Sequence, residues 1–222
     1  MKRVEGLSKL TGREQFIDDI AIDGALWGGT VRSPAPRGRI RRVHFGPEID
    51  WTEFVVVDHR DIPGKNTVHL IVDDQPALAS DYVRHVHEPV LLLAHPCREK
   101  LRQALRQVEV EVDPVPPVLD FRTPPTSEQI QYGDDNLLKH LHTEKGDVDR
   151  ALAEAPILVE GVYETGAQEH LYLETQGMAA WEEGGVVTIS GSMQCPYYVL
   201  DALCVALGMG PDRIRVIQAA TG

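Results

Sequence analysis

Gln168-Glu169-His170-Leu171-Tyr172-Leu173-Glu174-Thr175 and, further on, Ser192-Met193-Gln194-Cys195-Pro196 are two short polar clusters set in otherwise strand-like, half-buried sequence. Polar groups in such surroundings are hydrogen-bonded or put to use. Gln194 falls between a β-branched run, Val186 to Ser190, and a helix whose first turn suits Pro196. Loops of that kind are where binding groups collect. Two roles fit its amide: a turn glutamine bonded to backbone, or a neutral donor to an oxygen of a bound group. In the earlier cluster a carboxylate beside an imidazole can do general acid–base work. With no nucleophile or metal partner at useful spacing, a buried hydrogen-bond network among Gln168, Glu169, His170 and Glu174, pinning a domain core, is the favoured reading.

Around these clusters the chain alternates helix and strand signals. Glu53 to Val57 is a β-branched run ending at the turn Asp61-Ile62-Pro63-Gly64, and Pro89 to Ala94 is apolar throughout, as a buried strand would be. Leu101, Ala104, Leu105 and Val108 share one helical face in a helix from Cys97 to about Gln107. Val108-Glu109-Val110-Glu111-Val112 then alternates strictly, which predicts a half-buried strand. A stretch holding Pro114, Pro116, Pro117, Pro124 and Pro125 follows, and proline both removes a donor and restrains its predecessor. It reads as an extended connector between two domains. Beyond it, Asp147 is placed to cap a short helix reaching about Ala155, and Pro156 closes it. Val159–Tyr163, Val186–Ser190 and Arg213–Ile217 are expected strands. Leu200, Leu203, Cys204 and Leu207 share a helical face ahead of a C-capping Gly208.

Composition narrows the function classes. The 222 residues carry a formal charge of −12, with 42% hydrophobic and 25% charged residues. That is an ordinary globular balance. So acidic a surface repels phosphate backbones and anionic lipid, so neither nucleic acid nor a membrane is an expected partner. The start, Met1-Lys2-Arg3-Val4, leads into no apolar signal segment. Cys97, Cys195 and Cys204 form no C-x-x-C pair, so a disulfide framework, a structural zinc and an iron–sulfur site are poorly supported. Reduced thiols in a cytoplasmic protein are expected. The pairs His85/His87 and His140/His142 lack a third ligand and read as surface or loop histidines. Gly28-Gly29 lacks the context of a nucleotide fingerprint.

An ordered set of motifs runs from Thr11 to the end. Thr11-Gly12-Arg13-Glu14-Gln15-Phe16-Ile17-Asp18-Asp19, Gly24-Ala25-Leu26, Arg32-Ser33-Pro34, Asp61-Ile62-Pro63-Gly64, Val86-His87-Glu88-Pro89-Val90, Gly146-Asp147-Val148, the 168–174 segment and Ser192-Met193-Gln194 follow one another. This set resembles the molybdenum-binding large subunit of the xanthine dehydrogenase and aldehyde oxidase family. The resemblance implies an α+β chain. An α/β-hammerhead domain at 11–122 and a connector at 123–133 would lead into the opening part of a mixed α/β molybdopterin-binding domain at 134–222. Gln194 matches the glutamine that the family's S-T-Q motif places beside the molybdenum's oxo ligand, and is carried over as a cofactor contact. Gln168, Glu169, His170 and Glu174 match a Q-E-H-x-x-L-E segment and are carried over as architectural. No catalytic residue and no metal ligand is carried over. Three departures stand out. The H-A after R-S is absent. His87 replaces the glycine of G-E-P, which implies a less tight turn or a less strained φ. Met193 replaces the threonine of S-T-Q.

The chain ends at Gln218-Ala219-Ala220-Thr221-Gly222, where the family would continue into a glycine-rich cofactor loop and later a general-base glutamate. The expectation is therefore the N-terminal part of a molybdenum hydroxylase subunit, inactive alone. The intact enzyme would hydroxylate a purine, another N-heterocycle or an aldehyde with water-derived oxygen. Its cofactor would be molybdopterin, with or without a cytosine dinucleotide tail. Its partners would be the remainder of the molybdenum subunit, the small-molecule substrate, and iron–sulfur (2Fe-2S) and FAD subunits or domains. The rival reading is a non-catalytic scaffold or assembly domain, stable on its own.

Overall fold

The computed structural model describes residues 4–70, 72–172 and 174–221. The basic start at 1–3, Leu173 of the first polar cluster and the final Gly222 lie outside the described residues. The chain divides into two compact units, one running to Pro117 and resuming after Tyr172, the other Val118–Tyr172.

Among its described residues, the larger unit begins with a short helix, α1 (Gly6–Leu10), and holds three sheets. In the first, β1 (Trp27–Arg32), β5 (Pro89–His95) and β3 (Val55–Val57) lie in the order β1-β5-β3, all antiparallel. In the second, β4 (Tyr82–Val83), β2 (Gly38–Phe45) and β6 (Val108–Pro114) lie in the order β4-β2-β6, also antiparallel. Between β5 and β6 runs α2 (Arg98–Arg106), which buries Leu101 and Ala104 as its periodicity predicts. They join Val31, Ala79, Val90, Leu91, Leu93 and Val110 in one core. The glycines of β1 serve this packing: a Cβ on Gly29 would stand 2.6 Å from Leu105 Cδ1 of α2. His95, at the end of β5, accepts the Cys97 N–H on Nδ1 at 2.8 Å and so shapes the entry into α2.

The motif segments around Ser33 and Glu88 meet in space. Ser33 is fully buried, its N–H donates to Glu88 O at 2.9 Å, and the His87 N–H donates back to Ser33 O at 3.0 Å. The expectation of a relaxed φ at position 87 is corrected here. His87 adopts the left-handed conformation that glycine favours, with φ 63°. The two Ser33 bonds and an Arg32 guanidinium donating to His87 O at 3.0 Å hold the turn in that shape.

The third sheet is mixed. β7 (Met178–Glu183) pairs antiparallel with β8 (Val186–Gly191), and β8 pairs in parallel with β9 (Ile214–Gln218). Parallel neighbours need a crossover, and α4 (Pro196–Leu207) supplies it, with Pro196 in its first turn and Gly208 as a left-handed C-cap at φ 64°.

The unit 118–172 has little regular structure. α3 (Val148–Glu154) forms where expected, the Asp147 carboxylate accepting the Arg150 N–H at 3.0 Å. Asn136, at φ 64°, closes a turn by accepting from Gln131 N at 2.6 Å and Tyr132 N at 3.1 Å. The strand expected at Val159–Tyr163 is absent, and no residue of this unit is buried. Among the described residues, no helix is long and apolar enough to cross a membrane.

Candidate cofactor-contact loop

The loop carrying Gln194 grows out of the most buried strand of the third sheet. Thr188, Ile189, Ser190, Ser192 and Met193 are all buried, and exposure returns abruptly at Gln194 and Cys195. The root of the loop is gripped from both sides. The Ser192 N–H donates to Gly177 O at 3.1 Å, and the Ala219 N–H donates to Gly191 O at 2.8 Å. Position 191 admits no side chain, since a Cβ there would lie 2.6 Å from Gly177 O and from Met178 Cγ. Below the loop the Ser192 hydroxyl donates to Glu174 Oε2 at 3.4 Å.

Above this root stands the N-terminus of α4. Cys195 is its N-cap and offers no side-chain hydrogen bond, and the first turn holds no acidic residue. The first N–H groups of a helix lack intrahelical acceptors, and the helix dipole adds partial positive charge there. The NH₂ group of the Gln194 amide lies beside them, and the first turn of the helix carries no carboxylate. That chemistry suits electron-rich oxygens, so these residues fit an oxo-metal cofactor with its phosphorylated pterin.

The candidate residues fare differently. Gln194 lies on the exposed loop between strand and helix, as the sequence predicts. Glu174 is half-buried and meets Ser192. Gln168, Glu169 and His170 are exposed and lie in no helix or strand, so the expected buried network does not include them. Met193, which stands for a threonine in the resemblance, is buried. Its change therefore alters packing under the loop rather than the polar groups on its exposed side. Among the described residues no three His, Cys, Asp or Glu side chains converge as a metal site would need.

A separate cleft of about 450 Å³ lies among strands of the first two sheets, over Ile40, Val43, Phe45, Val56 and Leu91. Asp58, His59, Arg60 and Asp61 also line it. The Arg60 guanidinium, hydrogen-bonded to Asp58, holds that carboxyl down at about 2. None of its lining residues comes from the Gln194 loop.

Comparison with known proteins fits both parts of the fold. Residues 11–116 match the aldehyde oxidase and xanthine dehydrogenase a/b hammerhead domain, and residues 130–222 match the molybdopterin cofactor-binding domain. The chain belongs to the aldehyde oxidase and xanthine dehydrogenase family. Within it, the nicotinate dehydrogenase large molybdopterin subunit of Eubacterium barkeri is 30% identical over 99% of this chain and 52% of its own length. One subunit of a probable xanthine dehydrogenase from Bacillus subtilis is 28% identical over 99% of this chain and 30% of its own. The chain thus spans about half or less of the length of these relatives. The aldehyde oxidoreductase of Desulfovibrio gigas shares the fold with TM-score 0.80 at 19% identity, over 98% of this chain and 26% of that one. The CO dehydrogenase of Oligotropha carboxidovorans does so with TM-score 0.81 at 21% identity, over 99% and 30%.

Proposed function

We propose that this chain forms the hammerhead and the opening of the cofactor-binding part of a molybdenum hydroxylase acting on a nitrogen heterocycle, and that Gln194 is its contact to the cofactor. The observation that carries this is the exposed Gln194 amide on a rigidly rooted loop, at a helix N-terminus with no acidic residue in its first turn, inside the stretch that matches the molybdopterin cofactor-binding domain. The substrate class follows relatives named for nicotinate, xanthine and nicotine, all N-heterocycles. The functional division would be 11–122 and 134–222 joined by 123–133, which is supported by matches that end at 116 and resume at 130.

When bound, the molybdenum cofactor supplies the two-electron redox centre through which a water-derived oxygen reaches the substrate. This chain's own part is positioning. Gln194 would donate to a cofactor oxygen without adding charge, the first turn of α4 would meet its anionic groups, and the buried Ser192 and Met193 hold the root of the loop. Electrons would leave through 2Fe-2S and FAD chains or domains, because three cysteines fall short of the four thiolates such a cluster takes. A cytoplasmic location is supported by the same odd, unpaired cysteine count.

The test is Gln194→Ala in the molybdenum-loaded enzyme containing this chain. Loss of a preorganised donor predicts a fall of about 10²–10³ in turnover at matched molybdenum content. The residue is exposed, so stability should change by no more than ~0.5 kcal/mol. Turnover equal to wild type would remove the assignment.

A further inference from the structure

Gly64 ends the Asp61–Gly64 turn in the front part of the larger unit, and α4 is the crossover of the third sheet, yet the two touch backbone to backbone. The Gly64 N–H donates to Ala206 O at 2.8 Å and the Lys65 N–H to Val205 O at 3.0 Å. Both acceptors are among the last four carbonyls of α4, which no helical N–H can reach. The approach depends on a bare position 64. A Cβ there would lie 2.7 Å from Gly208 N, 2.9 Å from Ala206 O and closer still to Val205 O. These are backbone atoms and cannot rotate away. Gly208, left-handed at φ 64°, turns the chain aside just beyond the contact.

Most of α4 is half-buried, packed on β9, and none of its residues is fully buried, so the backbone contacts at its C-terminal end add to side-chain packing in fixing where the helix sits along its axis. Twelve residues span about 18 Å and move as one rod. At the far end of that rod, two residues before Pro196, stands Gln194. We infer that Gly64 is a positioning residue for Gln194: the 64–65 turn fixes the C-terminal end of α4, and α4, together with the gripped root at Gly191 and Ser192, sets where the Gln194 amide lies. What Gln194 touches rests on the proposed function; that Gly64 positions it does not.

Two readouts test this. In the full 222-residue chain, the side-chain NH₂ resonances of Gln194 should shift in Gly64→Ala, and the amides at 205–209 should lose exchange protection. The control is Gly24→Ala, which strains a left-handed backbone at φ 73° but brings its Cβ within 4 Å of nothing, and should leave those resonances in place. In the molybdenum-loaded enzyme, Gly64→Ala should lower kcat by about 10–10² with KM little changed, as a misplaced group does. Gly24→Ala should not. If Gly64→Ala fails to fold, Lys65→Pro removes one of the two hydrogen bonds while leaving position 64 bare, and should shift Gln194 in the same way. Gln194 resonances unmoved by the folded variant would overturn the inference. If they move while Gln194→Ala turns over normally, the cofactor contact fails and the positioning role stands.

Discussion

At position 87 a histidine holds a backbone conformation that glycine adopts freely. For an L-residue the left-handed region costs roughly 1–2 kcal/mol, while a glycine there would add about 0.5–1 kcal/mol of chain entropy loss on folding. The two nearly cancel, so His87→Gly should leave thermal stability within ~1 kcal/mol of wild type. His87→Val is different, because a β-branched side chain is a true outlier at positive φ. It should lower stability by about 1–3 kcal/mol. Equal melting temperatures for His87→Val and wild type would show that the turn relaxes, against the Ser33 bonds that hold it.

At the scale of elements, β5 separates what sequence shows from what only packing decides. Pro89 to Ala94 reads as uniformly apolar, and it does become the central strand of its sheet. Yet Leu93 is fully buried while its neighbour Leu92 is 39% exposed. Leu93→Ala should therefore cost about 2–5 kcal/mol in denaturant unfolding and Leu92→Ala under about 1 kcal/mol. Similar losses at both positions would contradict the assignment of faces. The strands and helices with clean periods, β6, β8, α2 and α4, were legible because one face of each is apolar. β1 was not, since Gly28 and Gly29 lower its strand signal and their use, close approach of α2, is tertiary. β2 was hidden by its charged residues and the register shift between Ile40 and Arg42. Val159–Tyr163 has strand-forming residues and no pairing neighbour among the described residues, so propensity alone did not make a strand. The Gln194 loop was legible from strand, polar residues and Pro196 in sequence. The grip of Gly64 on α4 was not, since it joins backbone atoms about 140 residues apart without a side-chain signal.

At the scale of the whole molecule, one unit holds a packed core and the other does not. Residues 118–172 bury no side chain and leave Phe121, Leu141, Val162 and Tyr163 largely exposed. Few buried contacts mean low local stability. Limited proteolysis of the chain should therefore begin within 118–172, ahead of any cut in the 86–112 core segment. First cleavage inside 86–112 would reverse that order of stabilities.

The family, the fold and the Gln194 loop together support a place for this chain in a molybdenum hydroxylase, and the most direct test is made on the complex purified from its own cell through this chain. Its metal content and the source of the oxygen it transfers to an N-heterocycle should be measured together. The predicted result is about one molybdenum for each copy of the chain, with the isotope label of heavy-oxygen water appearing in the hydroxylated product. A complex that hydroxylates without molybdenum, or whose product takes its label from dioxygen, would contradict the proposed function.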